Sequence, residues 1–292
     1  MVYIEVFSEE HPLKCGIAVT GRANPKLIER LAVEAEKVGY DYFLVTDHFM
    51  LPNSNNHIDV WSFLPYLAAK TATIKLGTAV TPLPFRPPGM LAKMAATTDY
   101  LSGGRVIFGV GFGWYRPEFE GYSEWHETRE RISFSLEAIQ LMKRLWTEPG
   151  SVDFSGKYVQ AKNAALEPKP IQKPYPPIWW GGHLPVSLRA AGKYADGWMP
   201  IGPRWFNESY PKPNEYSKMK KVILDELHKR KYPEEKFVFT NIINRTEIQT
   251  LQRDVEQYVE AGMTHFTLGE KAEDEKCLKE IGGVAKEIGG SF

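Results

Sequence analysis

Apolar positions along this chain recur with two periods in alternation, and that alternation predicts an architecture. After a polar leader, Lys14 to Val19 suits a strand, and Asn24-Pro25 then offers a helix cap followed by the residue favoured at the first helical position. Leu27, Ile28, Leu31, Ala35 and Val38 follow at helical spacing until Gly39, where a helix should stop. The next run, Tyr42-Phe43-Leu44-Val45-Thr46, has the continuous apolar character of a parallel strand covered on both faces.

The strand-helix pairing repeats. Helices are predicted near Val60–Ala72 and Gly89–Leu101, strands at Ile74–Val80 and Arg105–Val110, and a long helix from about His126 to Trp146 that Pro149-Gly150 ends. Val152 to Gln160, with Ser155-Gly156 at its centre, reads as a β-hairpin, and five prolines between Pro168 and Pro177 mark an extended excursion. Further strands are predicted at Ile178–Trp180, Gly197–Pro200, Lys236–Asn241 and His265–Leu268. The accompanying helices fall near Val186–Tyr194, Asn214–Lys231, Thr250–Ala261 and Asp274–Ile288. Eight strands and eight helices predict an α/β fold, a (β/α)8 TIM barrel, as a single domain over 1–292 with an insertion at 149–176 between the fourth helix and the fifth strand. An open doubly wound sheet is the alternative arrangement.

Composition narrows the function more than the fold. Among 292 residues, 43% are hydrophobic and 25% charged, a balance that builds a core without disulfides or structural metal. Lys plus Arg equals Asp plus Glu at 36 each, and no block of like charge stands out. Nothing electrostatic therefore points to nucleic acid or to a membrane, and a small-molecule partner is expected. Cys15 and Cys277 lie far apart with no metal-ligand spacing around them, so neither a disulfide nor a metal site is expected. Glu5, Glu9 and Glu10 stand where a signal peptide would be basic and then apolar, and no run of about 18 apolar residues follows, so a cytoplasmic location is expected.

In a closed parallel barrel the chemistry lies in the loops after the strands. After the second strand come Asp47 and His48, adjacent residues of which only one can point toward the barrel axis. His48 is read either as a group that exchanges a proton with substrate, with Asp47 fixing its surroundings, or as a satisfied histidine beside a buried capping aspartate. Gly109-x-Gly111-x-Gly113 suggests a dinucleotide fingerprint, but the position needing a third glycine is Trp114, so that reading fails. These glycines are read instead as bare backbone against which a flat ring lies, or as a tight loop alone. Gly181-Gly182-His183-Leu184-Pro185 joins a strand to a helix, and its amides, with the Ser187 hydroxyl, suit a phosphate, though a Gly-Gly pair also serves simple turns. Trp114, Trp125, Trp179, Trp180, Trp198 and Trp205 are candidates for ring stacking or for barrel filling, and Arg86 and Arg116 for anion contacts.

Taken in order, these motifs resemble the luciferase-like superfamily, especially its coenzyme F420-dependent oxidoreductases. The resemblance spans Cys15 to Pro200 and rests on Ala35-Glu36-x-x-Gly39-Tyr40-Asp41, Val45-Thr46-Asp47-His48, and Leu76-Gly77-Thr78-Ala79-Val80 with Arg86 and Pro88. Leu101-Ser102-Gly103-Gly104-Arg105, Gly109 to Trp114, Glu118-Phe119, Leu145-Trp146, Gly181-Gly182 and Ala195-Asp196-Gly197-Trp198 extend it.

The resemblance implies a barrel with a coenzyme across its strand ends, homodimerisation, and a non-prolyl cis peptide at Ala79-Val80. It makes His48 and Asp47 the catalytic candidates. Ala79, Val80, Gly111, Phe112, Gly113, Trp114, Gly181, Gly182, His183 and Ser187 become the coenzyme contacts. The implied activity is hydride transfer between coenzyme F420 and a small organic substrate. Reduced-FMN monooxygenation, or non-catalytic flavin binding on the same fold, are the alternatives. One departure stands out: some sugar-phosphate dehydrogenases of the superfamily carry a glutamate just after the fourth-strand glycines, where this chain has Trp114.

Overall fold

In a computed structural model of the chain, residues 13–22, 24–52, 54–201, 211–244 and 248–270 are described. The first half runs β1 (Lys14–Val19), α1 (Pro25–Lys37), β2 (Tyr42–Val45), α2 (Val60–Lys70), β3 (Lys75–Thr78), β4 (Thr81–Pro82), α3 (Pro88–Ser102), β5 (Val106–Gly111), α4 (Arg116–Tyr122) and α5 (Thr128–Thr147). The second runs β6 (Ser151–Ser155), β7 (Gln160–Ala165), β8 (Ile178–Gly181), α6 (Pro185–Tyr194), β9 (Gly197–Met199), α7 (Pro213–Lys229), β10 (Val238–Asn244), α8 (Ile248–Glu260) and β11 (His265–Glu270). The expected helix at Asp274–Ile288, with Cys277, Pro203 and Trp205, lies outside the described residues.

Each β/α unit starts as its sequence dictates. Asn24 caps α1 by accepting the Leu27 amide at 3.1 Å, with Pro25 at the first helical position. In β1 and β2 the side chains alternate: Ala18, Tyr42 and Leu44 join the barrel interior, while Ile17, Val19, Phe43 and Val45 pack in the outer core with the helices. Both faces are apolar, as the unbroken run in β2 predicts.

The strands pair in parallel in the order β1, β2, β3, β5, β8, β9, β10, β11, and β11 returns to β1 with Lys14 opposite His265. Closure excludes the open doubly wound sheet and produces the (β/α)8 barrel. Tyr42 crosses the interior to donate its hydroxyl to the Phe266 carbonyl at 2.7 Å and lies 2.8 Å from the Thr267 hydroxyl, itself 2.7 Å from that of Thr240. This buried polar chain joins three barrel strands, every member having a partner.

The third predicted strand is interrupted. β3 stops at Thr78, the Ala79–Val80 peptide is cis, and β4 resumes pairing against Val110 and Gly111. Between α5 and β8 the chain makes the antiparallel hairpin β6–β7, its turn at 156–159 rather than centred on Ser155-Gly156. Glu137 of α5 fixes that turn, accepting the amides of Lys157, Tyr158 and Val159 at 3.1, 2.7 and 2.9 Å. Among the described residues, no helix is long and apolar enough to cross a membrane.

Candidate active site at the C-terminal rim of the barrel

The segments at the ends of β2, β3, β5 and β8 meet at the C-terminal rim and enclose one cavity. His48, Ala79 and Val80 line one side, Gly111, Phe112, Gly113 and Trp114 another, and Gly181, Gly182, His183 and Ser187 a third. Thr46, Pro82, Leu184 and Ile201 complete the wall. Of the twelve residues expected as catalytic candidates or coenzyme contacts, Asp47 alone stands apart from it.

Asp47 and His48 diverge because successive residues leave a strand end on opposite sides. The Asp47 carboxylate is buried and receives both ends of the Arg86 guanidinium, at 2.6 and 2.9 Å. Arg86 also donates to Asp59 at 2.8 Å, and Asp59 caps α2 through the Ser62 amide at 2.9 Å. The Phe49 and Phe85 rings lie 5.2 and 5.5 Å from the guanidinium carbon. Burial opposes the charge on Arg86, but Asp47 and Asp59 together hold its pKa above the ordinary value. Asp47 is thus a buried structural partner of Arg86, and the anion contact expected of Arg86 is met inside the protein. Arg116, the other candidate, is exposed and pairs with Glu120 at 2.7 Å.

His48 faces the cavity and meets Glu118, which the sequence marks only as part of the Glu118-Phe119 motif. Glu118, buried on the short helix α4, places Oε2 2.9 Å from His48 Nδ1 across 70 residues of sequence. Its Oε1 accepts the amides of Phe49 and Met50, at 2.5 and 3.2 Å. The available signal was an acidic residue beside Phe119 in the loop that follows the fourth-repeat glycines, but nothing in the spacing reveals its reach. The Trp114 ring stands edge-on to His48 with centroids 5.9 Å apart, and His57 lies behind at 6.5 Å. Burial first, then the neighbouring His48 and Arg22, lower the pKa of His57 to about 4.

The glycines also make room for neighbouring parts of the chain. A Cβ on Gly109 would lie 1.8 Å from the Thr78 carbonyl oxygen, and one on Gly111 would lie 2.8 Å from Val80 Cγ2. Gly181 likewise leaves room for Val80, whose methyls stand 3.0 and 3.1 Å from its would-be Cβ. Val80 packs against the bare backbone of Gly111 and Gly181, and all three line the cavity. Gly113 turns the chain at φ +75°, with the Phe119 ring packed beneath it.

At the β8 end, Gly182 adopts φ +104°, donates its amide to Met199 at 3.1 Å, and accepts the Trp198 indole at 2.7 Å. Its amide is therefore committed to the sheet, which narrows any phosphate nest to the first turn of α6 and the Ser187 hydroxyl. Of the tryptophans, Trp114 lines the cavity. Trp180 and Trp198 are core residues, Trp179 sits inside the barrel, and Trp125 stacks on Arg131 with the guanidinium 3.8 Å from its ring.

A second cavity of about 480 Å³ opens at the N-terminal mouth, near Lys14, Asp41, Trp179 and His265. Among its charged groups, Lys14, Asp41 and Glu36 have partners within the chain. Lys14 meets Asp41 at 2.9 Å, and Glu36 accepts the Ile74 amide at 2.9 Å. Barrel chemistry resides at the other face.

Fold and rim together define an α/β barrel with a cavity across its C-terminal strand ends. The family described as luciferase-like monooxygenase matches residues 13–217, and the chain belongs to it. An F420-dependent glucose-6-phosphate dehydrogenase of Amycolatopsis mediterranei (strain U-32) is 34% identical over 179 residues, 60% of this chain and 53% of the relative. An FMNH(2)-dependent dimethylsulfone monooxygenase of Pseudomonas putida is 32% identical over 175 residues, 59% of this chain and 48% of the relative. The matches thus span about half the length of these curated relatives. Among solved structures, an F420-dependent secondary alcohol dehydrogenase in complex with an F420-acetone adduct superposes with TM-score 0.84 at 20% identity, covering 95% of this chain and 99% of the other. The coenzyme F420-dependent tetrahydromethanopterin reductase of Methanopyrus kandleri gives 0.79 at 19%, covering 94% and 98%. At these identities the structural likeness speaks to the fold.

Proposed function

We propose that the chain binds coenzyme F420 in the rim cavity and exchanges a hydride between it and a small organic substrate. The observation that carries this reading is the convergence of His48, Val80, Gly111 and Gly182, from the ends of four separate strands, on one largely apolar cavity. The similarity to F420-dependent glucose-6-phosphate dehydrogenases supports it.

The residues present fit such a coenzyme. Val80 offers an apolar ridge for a flat ring, and Phe112, braced edge-on against Trp180 at 5.3 Å, offers a second wall. The first turn of α6, with Ser187 beside the side-chain-free Gly182, would hold a phosphate. When bound, the coenzyme would supply the hydride chemistry, and the protein would supply orientation, exclusion of water and a proton site at His48. The same reading takes the chain as a cytoplasmic homodimer.

The similarity to an FMNH(2)-dependent monooxygenase favours one rival, in which the same cavity holds reduced FMN. Fluorescence and absorbance titrations of the purified protein with F420 and with FMN separate them. F420 binding at least tenfold tighter than FMN is the expected result. Submicromolar FMN affinity without F420 binding would establish the rival, and tight F420 binding without turnover on alcohols or carbonyl compounds would leave a non-catalytic carrier.

A further inference from the structure

We infer that Glu118 is a positioning residue that fixes the tautomer of His48, holding the proton on Nδ1 and presenting Nε2 to the cavity as the proton-accepting atom. The inference rests on the proposed function only for what His48 does in turnover. The tautomer itself follows from the contacts within the chain.

Glu118 is buried, and an unpartnered buried carboxylate is costly, so each of its oxygens needs donors. Two of these are invariably donors: the amides of Phe49 and Met50 both point at Oε1. Oε2 is left facing His48 Nδ1 at 2.9 Å, and a carboxylate oxygen there can only accept. The neutral imidazole must therefore carry its hydrogen on Nδ1, and its lone pair on Nε2. The edge-on Trp114 and His57 rings confine the imidazole from the sides. A proton taken at Nε2 from a bound substrate hydroxyl then gives an imidazolium, which the Glu118 carboxylate stabilises through the same hydrogen bond. In the reverse direction Nε2 returns that proton.

The same accounting predicts what the isosteric amide does. In Glu118→Gln, the two backbone amides require the side-chain oxygen at the Oε1 position, which forces the NH2 group against Nδ1. Nδ1 must then accept, so the proton moves to Nε2 and the cavity-facing atom becomes a donor.

The test is a long-range proton–nitrogen correlation spectrum of coenzyme-free, histidine-15N-labelled protein at a pH where the ring is neutral. The seven histidines are few enough for His48 to be assigned by its loss in His48→Asn. In the wild type, Nδ1 is expected at the protonated-nitrogen position and Nε2 at the lone-pair position. Glu118→Gln is expected to invert the pair and to lower turnover at least about 100-fold, with coenzyme affinity within threefold. A wild-type proton on Nε2, or a Glu118→Gln protein with the wild-type tautomer and turnover, overturns the inference. The wild-type spectrum needs neither a variant nor a bound coenzyme, so failure of the tautomer assignment is distinguishable from failure of the coenzyme reading.

Discussion

Asp47 and His48 are consecutive in the chain yet belong to different machinery: the Asp47 carboxylate makes a two-point contact with Arg86 at 2.6 and 2.9 Å, while His48 faces the rim cavity with its Nδ1 on Glu118. One residue anchors the loop after β2, and the other is displayed by it.

That division predicts distinct consequences of mutation. Arg86→Leu leaves the buried Asp47 without its cation and should destabilise the coenzyme-free protein by about 3–5 kcal/mol in urea denaturation. The double change Asp47→Leu, Arg86→Leu should recover much of that loss, because neither charge is then buried alone. A single variant within about 1 kcal/mol of wild type would show that the pair does not brace the loop.

Val80 and Gly111 should be coupled. Gly111→Ala puts a methyl 2.8 Å from Val80 Cγ2, so Val80 must move toward the cavity. Coenzyme affinity is expected to fall about tenfold, and Val80→Ala in the same protein to restore part of it, giving an interaction energy of about 1 kcal/mol or more in a double-mutant cycle. Additive effects on the measured dissociation constants would mean that the two do not compete for space.

Gly182→Val tests the phosphate end. The backbone there has φ +104°, where a side chain is strained by about 1–3 kcal/mol, and its Cβ would approach Ser187 Oγ to 2.8 Å. Weaker coenzyme binding and a lower melting temperature are both expected. An unchanged dissociation constant would place the phosphate elsewhere.

Acid should destabilise the fold through its half-buried histidines. Burial lowers the pKa of His265 to about 4, as it does that of His57, against about 6.5 in the unfolded chain. Between those values the unfolded chain holds protons that the folded chain does not, so stability is full above pH 6.5 and is lost as pH falls toward 4. Replacing His265 with Gln should flatten the fall over that window. Denaturation midpoints measured across it would read the difference, and a slope identical to wild type would exonerate His265.

The barrel was legible because its signals are local. The unbroken apolar run of β2, the Asn24-Pro25 cap and the Gly181-Gly182 turn each announce an element without reference to the rest of the chain. The break after β3 was less visible: Ile74 to Val80 reads as one strand, and only the pairing of Thr81 and Pro82 with β5 shows that it resumes as a second piece. Glu118 escaped for the same reason, since its role depends on a hydrogen bond across 70 residues. The Gly109, Gly111 and Gly113 pattern marks a place where something comes close, and the close neighbours within the chain are Thr78, Val80 and Phe119. A missing side chain in a sequence says that something comes near; it does not say what.

The contact between Glu118 and the β2 loop also constrains how this scaffold can be re-engineered. One carboxylate ties the backbone after the second strand to the helix after the fourth repeat, so those two segments behave as a single transplantable module. Grafting either alone from another barrel would strand a buried carboxyl or release the histidine, whereas exchanging both together keeps the Glu118–His48 contact intact.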